Sequence, residues 1–347
     1  MIGNIIKVRK ALRNLFNLNK NMLKRKDFVM INRSQPAKKY RQRWTKDDTE
    51  LTLLAAPTTI WYVLFCFLPM FGIIIAFKDF RISGNFITSV FRSSWAGGNG
   101  LKNFESLFSF GDIWTIIRNT LAYNIVFIIL GIVIPVVLAL IINQLHSRIA
   151  AKIYQTAMFM PYFLSWVVVS AVVFGFLSYD KGLANKIIES IGGEPVQWYM
   201  SPQYWPYFII FMNLWKSVGY GMVVYLASIT GIDGTYYEAA VIDGATKWQQ
   251  VRYITLPLMK TVIVIMFILS VGRIFYSDFG LFYQVPKASN SLFDVTYTID
   301  VYVYSMMKSG TTGMASATAL IQSVVGCVTI LLANALVRKI DSESAMI

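Results

Sequence analysis

The sequence predicts an all-α integral membrane protein of six spans, and three observations carry that prediction. Of its 347 residues 56% are hydrophobic and only 14% charged, where a soluble domain has about a quarter charged. Four segments, 51–77, 119–145, 153–179 and 313–337, contain no charge at all and exceed the roughly 20 apolar residues a spanning helix needs. Two further segments are equally long but flawed: 204–232 carries Lys216, and 257–284 carries Arg273 and Asp278. A kinked or re-entrant path is expected in these two. Pro69, Pro135 and Pro161 sit inside the first three spans, where each removes a backbone donor and favours a kink.

Charge placement orients the spans. Residues 1–50 hold 14 Lys/Arg against four Asp/Glu, so the tail carries +10 of the net +14. That tail belongs on the cytoplasmic side. Loops 146–152 and 233–256 and the end of the chain are then inside as well, and loops 78–118, 180–203 and 285–312 outside. The division is a basic tail over 1–50, a membrane domain over 51–341 and a short tail over 342–347. Within 2–23, Ile5, Val8, Leu12, Leu15 and Phe16 recur at helical spacing among Lys and Arg. A basic amphipathic helix on anionic lipid and a disordered tail are both open readings. Because the basicity is confined to the tail, nucleic acid is not an expected partner.

Catalytic signals are absent from the sequence. The single histidine, His146, stands beside Arg148 at a span boundary and reads as an interfacial anchor. There is no phosphate-binding loop and no zinc-protease helix. Gly97–Asn103, a glycine-rich stretch, has no strand before it and reads as a turn. Cys66 and Cys327 both lie in apolar runs and suggest neither a disulfide nor a metal site. Any ATP chemistry would belong to a partner.

Charge within a span is costly and marks function by default. Lys216 lies mid-span with Asn213, Trp215, Tyr220 and Tyr225 nearby, a set suited to a wet path with aromatic faces for sugar rings. A lysine that snorkels or pairs with an acid is the plainer alternative. Arg273 and Asp278, five residues apart, do not share a helix face and are expected to point to different surroundings.

The connector between the fourth and fifth spans, TYYEAAVIDGATKWQQVRYITLPL over 235–258, is shaped. Thr235 and Glu238 fit a capping box, as do Thr246 and Gln249. Gly244 suits a left-handed helix stop, and Leu256-Pro257 is expected to close the second helix. The expectation is two short helices, each roughly 12–15 Å long, bent at Gly244, with Ala239 and Ala240 keeping the first slim enough to enter a groove on a partner.

Glu238-Ala239-Ala240, then Gly244, then Ile254, Leu256 and Pro257 meet the full spacing of a known signature. It resembles that of the permease subunits of binding-protein-dependent ABC importers. Four stretches resemble the branch that imports oligosaccharides, especially polysaccharide breakdown products such as aldouronates: FLPMFGIIIAFKDF (67–80), NTLAYN (119–124), FMPYFLSWVVVS (159–170) and LLANALVRKI (331–340). The resemblance covers about 51–341.

It implies a six-transmembrane-helix importer fold whose connector is a cytoplasmic coupling helix. Glu238, Ala239, Ala240, Asp243, Gly244, Ile254, Leu256 and Pro257 would then serve the ATPase contact. The implied partners are a second related permease, two cytosolic ATPases that bind ATP-Mg, and an external solute-binding protein that meets the outer loops. The implied location is a bacterial cell membrane, with no cofactor on this chain. A passive channel and an integral-membrane enzyme are the competing classes. The channel needs no shaped connector, and the enzyme needs a cluster of acid, base or metal groups that the sequence lacks.

Overall fold

A computed structural model describes residues 45–81, 84–109 and 111–340. The basic tail up to residue 44, with its amphipathic stretch, and the C-terminal tail lie outside the described residues. The described residues fall into two compact units, with the boundary between Phe67 and Leu68.

In the first unit, helix α1 spans Lys46–Tyr62 and passes into a π-helical turn, Val63–Phe67. It starts five residues before the expected 51. Thr45 and Asp48 form a reciprocal capping box: the Asp48 N–H donates to Thr45 Oγ1 at 3.2 Å, and the Thr45 N–H donates to Asp48 Oδ2 at 2.8 Å. The cap lets a polar first turn, Lys46–Glu50, join the apolar run.

The second unit opens on a tight 3₁₀ stretch, Leu68–Phe77. The remaining main helices are α2 (Ile113–Asn143), α3 (Arg148–Phe159), α4 (Trp166–Leu177), α5 (Trp205–Thr230), the connector helix α6 (Gly234–Ile242), α7 (Lys247–Val271) and α8 (Thr312–Ile340). Short helices such as Leu183–Ser190 and Ile299–Lys308 fill the connecting loops. Among the described residues the only β pairing is an isolated bridge between Lys78 and Trp95.

Five segments are long and apolar enough to cross a membrane: Lys46–Phe77, Ile113–Asn143, Pro202–Thr230, Lys247–Val271 and Thr312–Lys339. A sixth is a bent pair, Arg148–Phe163 with Trp166–Leu177, turned through 98°. The breaks therefore fall in the third and fifth spans, and the fourth is one uninterrupted helix despite Lys216. In the third, Pro161 lacks an N–H, and Ser165 offers a new cap whose Oγ accepts from the Val168 N–H at 3.3 Å. The fifth differs from the expected 257–284 at both ends. It begins ten residues earlier and its helix stops at Val271, with turns and irregular chain over 272–278.

Side chains pack in two clusters. One gathers Ile116, Trp205, Ile209, Phe282 and Tyr302. The other, toward the polar connector, gathers Val136, Met222, Tyr225, Leu226 and Met259. Apolar side chains such as Val133, Val168, Phe211 and Leu332 remain exposed, as a lipid-facing surface requires. Lipid tails are as apolar as leucine, so helices associate through close packing. Gly219 on α5 illustrates this, since a Cβ there would fall 2.0 Å from the Met158 carbonyl oxygen.

Candidate functional site

Two regions stand apart from ordinary packing: the connector α6–α7, and a polar cluster where the two broken spans meet.

The connector is a knob, but it is capped differently from the expectation. Asp233, not Thr235, is the N-cap of α6; its Oδ1 accepts from the Thr235 N–H at 3.0 Å. Thr235 is thereby the second residue of the helix. Glu238 lies too far along to reach back, and its exposed carboxylate has no hydrogen bond or ion pair among the described residues. Asp233 wins because its carboxylate is a stronger acceptor than a hydroxyl and precedes a glycine that enters the helix easily.

The stop at Gly244 is as expected. Gly244 has φ +76°, its N–H donates to Val241 O at 3.0 Å, and the Ala245 N–H donates to Ala240 O at 2.8 Å. This paired pattern is a Schellman motif, which satisfies the final carbonyls of α6. The second capping box also forms: the Thr246 N–H donates to Gln249 Oε1 at 2.7 Å and the Gln249 N–H to Thr246 Oγ1 at 3.3 Å.

Pro257 does not close the second helix. A π turn, Val251–Thr255, precedes it, with the Leu256 N–H bonded to Val251 O. The wider turn helps α7 accommodate a residue that cannot donate, so the second part of the connector and the fifth span form one helix of 25 residues. The Tyr237 hydroxyl meets Thr255 Oγ1 at 2.9 Å, tying α6 to α7. Outward, Ile242 is 85% exposed, and Glu238, Ala239, Asp243, Gly244 and Trp248 are also exposed. Ala240, Ile254 and Leu256 are half-buried, while Pro257 is exposed. A depression of about 430 Å³ lies beside the knob, lined in part by Asn143 at the end of α2 with Glu238, Val241, Ile242 and Lys247.

The Thr235 bonds hold the Asp233 carboxyl below its usual 3.8. A depressed carboxylate contributes its full stability above the unfolded value and loses it as pH falls through the folded one. The cap is therefore constant between pH 8 and 5. Asp233→Ala is expected to speed exchange of the Thr235 amide hydrogen several-fold at neutral pH, whereas Asp233→Asn, still a good cap, leaves it within about twofold.

The second region gathers several of the charged candidates. Lys216 Nζ donates to the Tyr162 carbonyl at 2.8 Å and stands 5.6 Å from the Tyr162 ring centroid and 5.4 Å from that of Trp166. Trp166 Nε1 in turn donates to Asp278 Oδ2 at 2.6 Å. One indole thus links Lys216 on the fourth span to Asp278 past the end of α7, and it does so at the bend of the third. Asp278 Oδ1 also accepts from the Gly280 N–H at 3.0 Å, fixing the carboxylate.

Aromatic rings wall the cluster. Tyr162 stacks on Tyr220 at 5.1 Å with 15° between planes, and Phe279, Tyr283 and Tyr304 form a triangle with centroids 4.7–4.9 Å apart. Among the described residues the only ion pair is Asp79–Arg81, so Lys216, Arg273 and Asp278 are not neutralised by an opposite charge. Lys216 has two N–H bonds to spare.

Three placements correct the sequence reading. Arg273 and Asp278 lie past the end of a helix rather than within one, and both are exposed. Tyr225 is 1% exposed in the inner cluster. Nine residues beyond Lys216, it faces the opposite side of α5 at 100° per residue, so it does not line the same surface. Asn213 and Tyr220 share the Lys216 face by spacing, and Trp215 does not. Tyr162 and Trp166 were not foreseen, since only folding brings them to Lys216.

Comparison with known proteins decides what such a chain is. A family model described as the inner membrane component of binding-protein-dependent transport systems matches residues 131–342. The chain belongs to that family. The permease is 33% identical over 294 residues to the polygalacturonan/rhamnogalacturonan transport system permease protein YteP of Bacillus subtilis (strain 168), covering 84% of this chain and 89% of that one. It is 26% identical over 257 residues to the arabinooligosaccharides transport system permease protein AraP of Halalkalibacterium halodurans, covering 73% and 76%. Its fold matches a chain of a bacterial ABC transporter involved in import of the acidic polysaccharide alginate. The TM-score is 0.75 at 31% identity, over 85% of this chain and 97% of that one. A second structure of the bacterial alginate transporter, in complex with an alginate pentasaccharide-bound periplasmic protein, matches with TM-score 0.75 at 30% identity. The permease is thus a multi-pass, all-α membrane protein with the importer permease fold, in a family of transport subunits.

Proposed function

We propose that the permease forms half of the translocation pathway of an ATP-driven importer for an oligosaccharide released by polysaccharide breakdown. A second related permease supplies the other half. Two cytosolic ATPases bind ATP-Mg and dock on the 235–257 knob, and an external solute-binding protein delivers the sugar to the outer loops. The chain itself is non-catalytic and holds no cofactor. Both termini lie on the cytoplasmic side of a bacterial cell membrane.

Coupling requires the ATPase to bind the knob differently in its two states. The unpaired Glu238 carboxylate and the exposed Ala239, Asp243 and Ile242 suit a contact of that kind. Ala240, Ile254, Leu256 and Pro257 set the shape and footing of the knob.

The observation that carries the substrate reading is the Lys216–Trp166–Asp278 chain between two broken spans. Discontinuous helices in transporters present polar backbone and side chains to substrate, and aromatic faces beside charged groups suit sugar rings. With no acid paired to it, Lys216 favours an acidic sugar such as a uronate. The names of the similar permeases and the alginate transporter support the same class.

The test is reconstitution of the co-purified complex in liposomes. Binding protein loaded with an oligouronide is expected to raise ATPase activity and drive uptake that stops without ATP. Uptake that continues without ATP would identify a channel, and a complex unresponsive to every oligosaccharide would overturn the substrate class.

A further inference from the structure

The irregular segment 272–278 poses a backbone problem that the permease solves with two side chains. In a continuous helix the carbonyls of Ile274, Phe275 and Tyr276 would bond within the helix. Here Asn124 Nδ2 of α2 donates to Ile274 O at 2.9 Å and to Tyr276 O at 3.0 Å, and Gln322 Nε2 of α8 donates to Phe275 O at 2.8 Å. Asn124 Nδ2 also lies 2.8 Å from Thr120 O of its own helix, so its two hydrogens are shared among three carbonyls. Three consecutive carbonyls are thus held from two flanking spans.

A further layer braces the latch. Gln322 Nε2 lies 3.2 Å from Asp300 Oδ2, and that oxygen accepts from both the N–H and the hydroxyl of Ser277. The Ser277 hydroxyl is also within 2.7 Å of Thr298 Oγ1.

The choice of residue type follows from the setting. Non-helical backbone at membrane depth survives only where protein or a wet cavity satisfies it. A neutral amide offers two donors in one plane, whereas a carboxylate offers none and a lysine brings a charge. Asn124 is half-buried and Gln322 is 5% exposed. Neither makes a contact with Lys216, Trp166 or Asp278 among the described hydrogen bonds.

The segment they hold carries Arg273 at one end and Asp278 at the other. It is also where α7 stops. Because α7 runs unbroken over 25 residues from Lys247, about 37 Å at 1.5 Å per residue, a displacement of the knob arrives at this break.

We propose that Asn124 and Gln322 are positioning residues for transport, holding the break in the fifth span so that Arg273 and Asp278 keep the pose in which substrate is met. The proposal rests on the importer reading for its kinetic consequence, but not for its structural one.

Two readouts on the whole complex in liposomes test it. In a chain carrying Cys66→Ser and Cys327→Ser, Ile274→Cys reports the segment through its rate of reaction with a water-soluble maleimide. Adding Asn124→Leu or Gln322→Met is expected to speed that reaction at least fivefold. In chains without the cysteine probe, the same two substitutions are expected to raise the KM for oligouronide uptake about tenfold, with the maximal rate per inserted complex within threefold. Asn119→Leu is the control. It removes comparable amide bonds, to Asp294 O and Tyr297 O at the short helix Phe293–Thr296, and is expected to leave the KM unchanged.

An unchanged labelling rate overturns the latch. A fall in maximal rate at constant KM, or a KM shift equally large in Asn119→Leu, reduces the two residues to general packing and overturns the positioning role. Should Asn124→Leu fail to insert, Asn124→Ser, which keeps one donor, is expected to show smaller shifts in the same direction, and wild-type behaviour there also overturns the proposal. If wild-type complex takes up no oligosaccharide, the importer reading fails while labelling still decides the latch.

Discussion

Replacing Gly244 with valine is expected to reduce ATP-driven uptake at least tenfold while leaving membrane insertion and span packing intact. Gly244 sits at φ +76°, and a Cβ there would meet nothing within 4 Å. The damage therefore does not come from a clash inside the chain. It comes from the backbone: an L-residue in the left-handed region costs roughly 1–2 kcal/mol, and a β-branched one is a genuine outlier there. Helix α6 has only nine residues, and so short a helix is marginal without its caps. Losing the Ala245-to-Ala240 bond that closes the Schellman motif would fray the turn bearing Asp243 and Ile242. Asparagine tolerates the left-handed region, so Gly244→Asn is expected to keep most of the uptake. The check is uptake and ATPase activity side by side in liposomes. Full uptake by Gly244→Val would remove the knob from the coupling path.

Lys216→Gln is expected to lower uptake of an acidic oligosaccharide by 10- to 100-fold and of a neutral one by less than about threefold. Glutamine still offers a donor toward the Tyr162 carbonyl, so the bend in the third span keeps a partner there. What disappears is the charge. A charge-assisted hydrogen bond contributes about 1.5–3 kcal/mol, and a tenfold change corresponds to about 1.4 kcal/mol. The cation–π contacts with Tyr162 and Trp166 would be lost as well, and they currently hold Nζ in place. Competition between oligogalacturonide and a neutral oligosaccharide in the same vesicles reads the difference directly. Equal losses for both sugars would make Lys216 a brace for the bend and not a selectivity residue.

Much of the fold was legible because lipid imposes simple rules. Charge-free runs such as 119–145 and 313–337 had few alternatives to a spanning helix. The knob was legible for a different reason. Gly244 and the Thr246–Gln249 box are local devices, set by neighbours within five residues. Where two local devices competed, local reading chose wrongly. Thr235 fitted a capping box, but Asp233 two residues earlier is a better acceptor, and only the built helix shows which one starts it. The Thr45–Asp48 box is equally local, but its charged turn precedes the charge-free run that marks the span.

Pro257 and the charged residues mark the limit. Proline read locally as a stop, yet a π turn carries the helix past it. Arg273 and Asp278 read as charges within a helix, yet the helix had already ended at Val271. Composition cannot reveal that ending, because the side chains that bond its freed carbonyls, Asn124 and Gln322, lie 150 and 47 positions away in the chain.

By itself, the sequence determined the membrane habit, the stop and second cap of the connector, and the family, since each depends on composition or on spacing within about 20 residues. Only the tertiary structure decided where the third and fifth spans break, that Trp166 joins Lys216 to Asp278, and that Tyr225 turns away. The physical reason is range: hydropathy and caps act between neighbours along the chain, whereas a broken helix in lipid persists only if distant side chains satisfy its freed carbonyls.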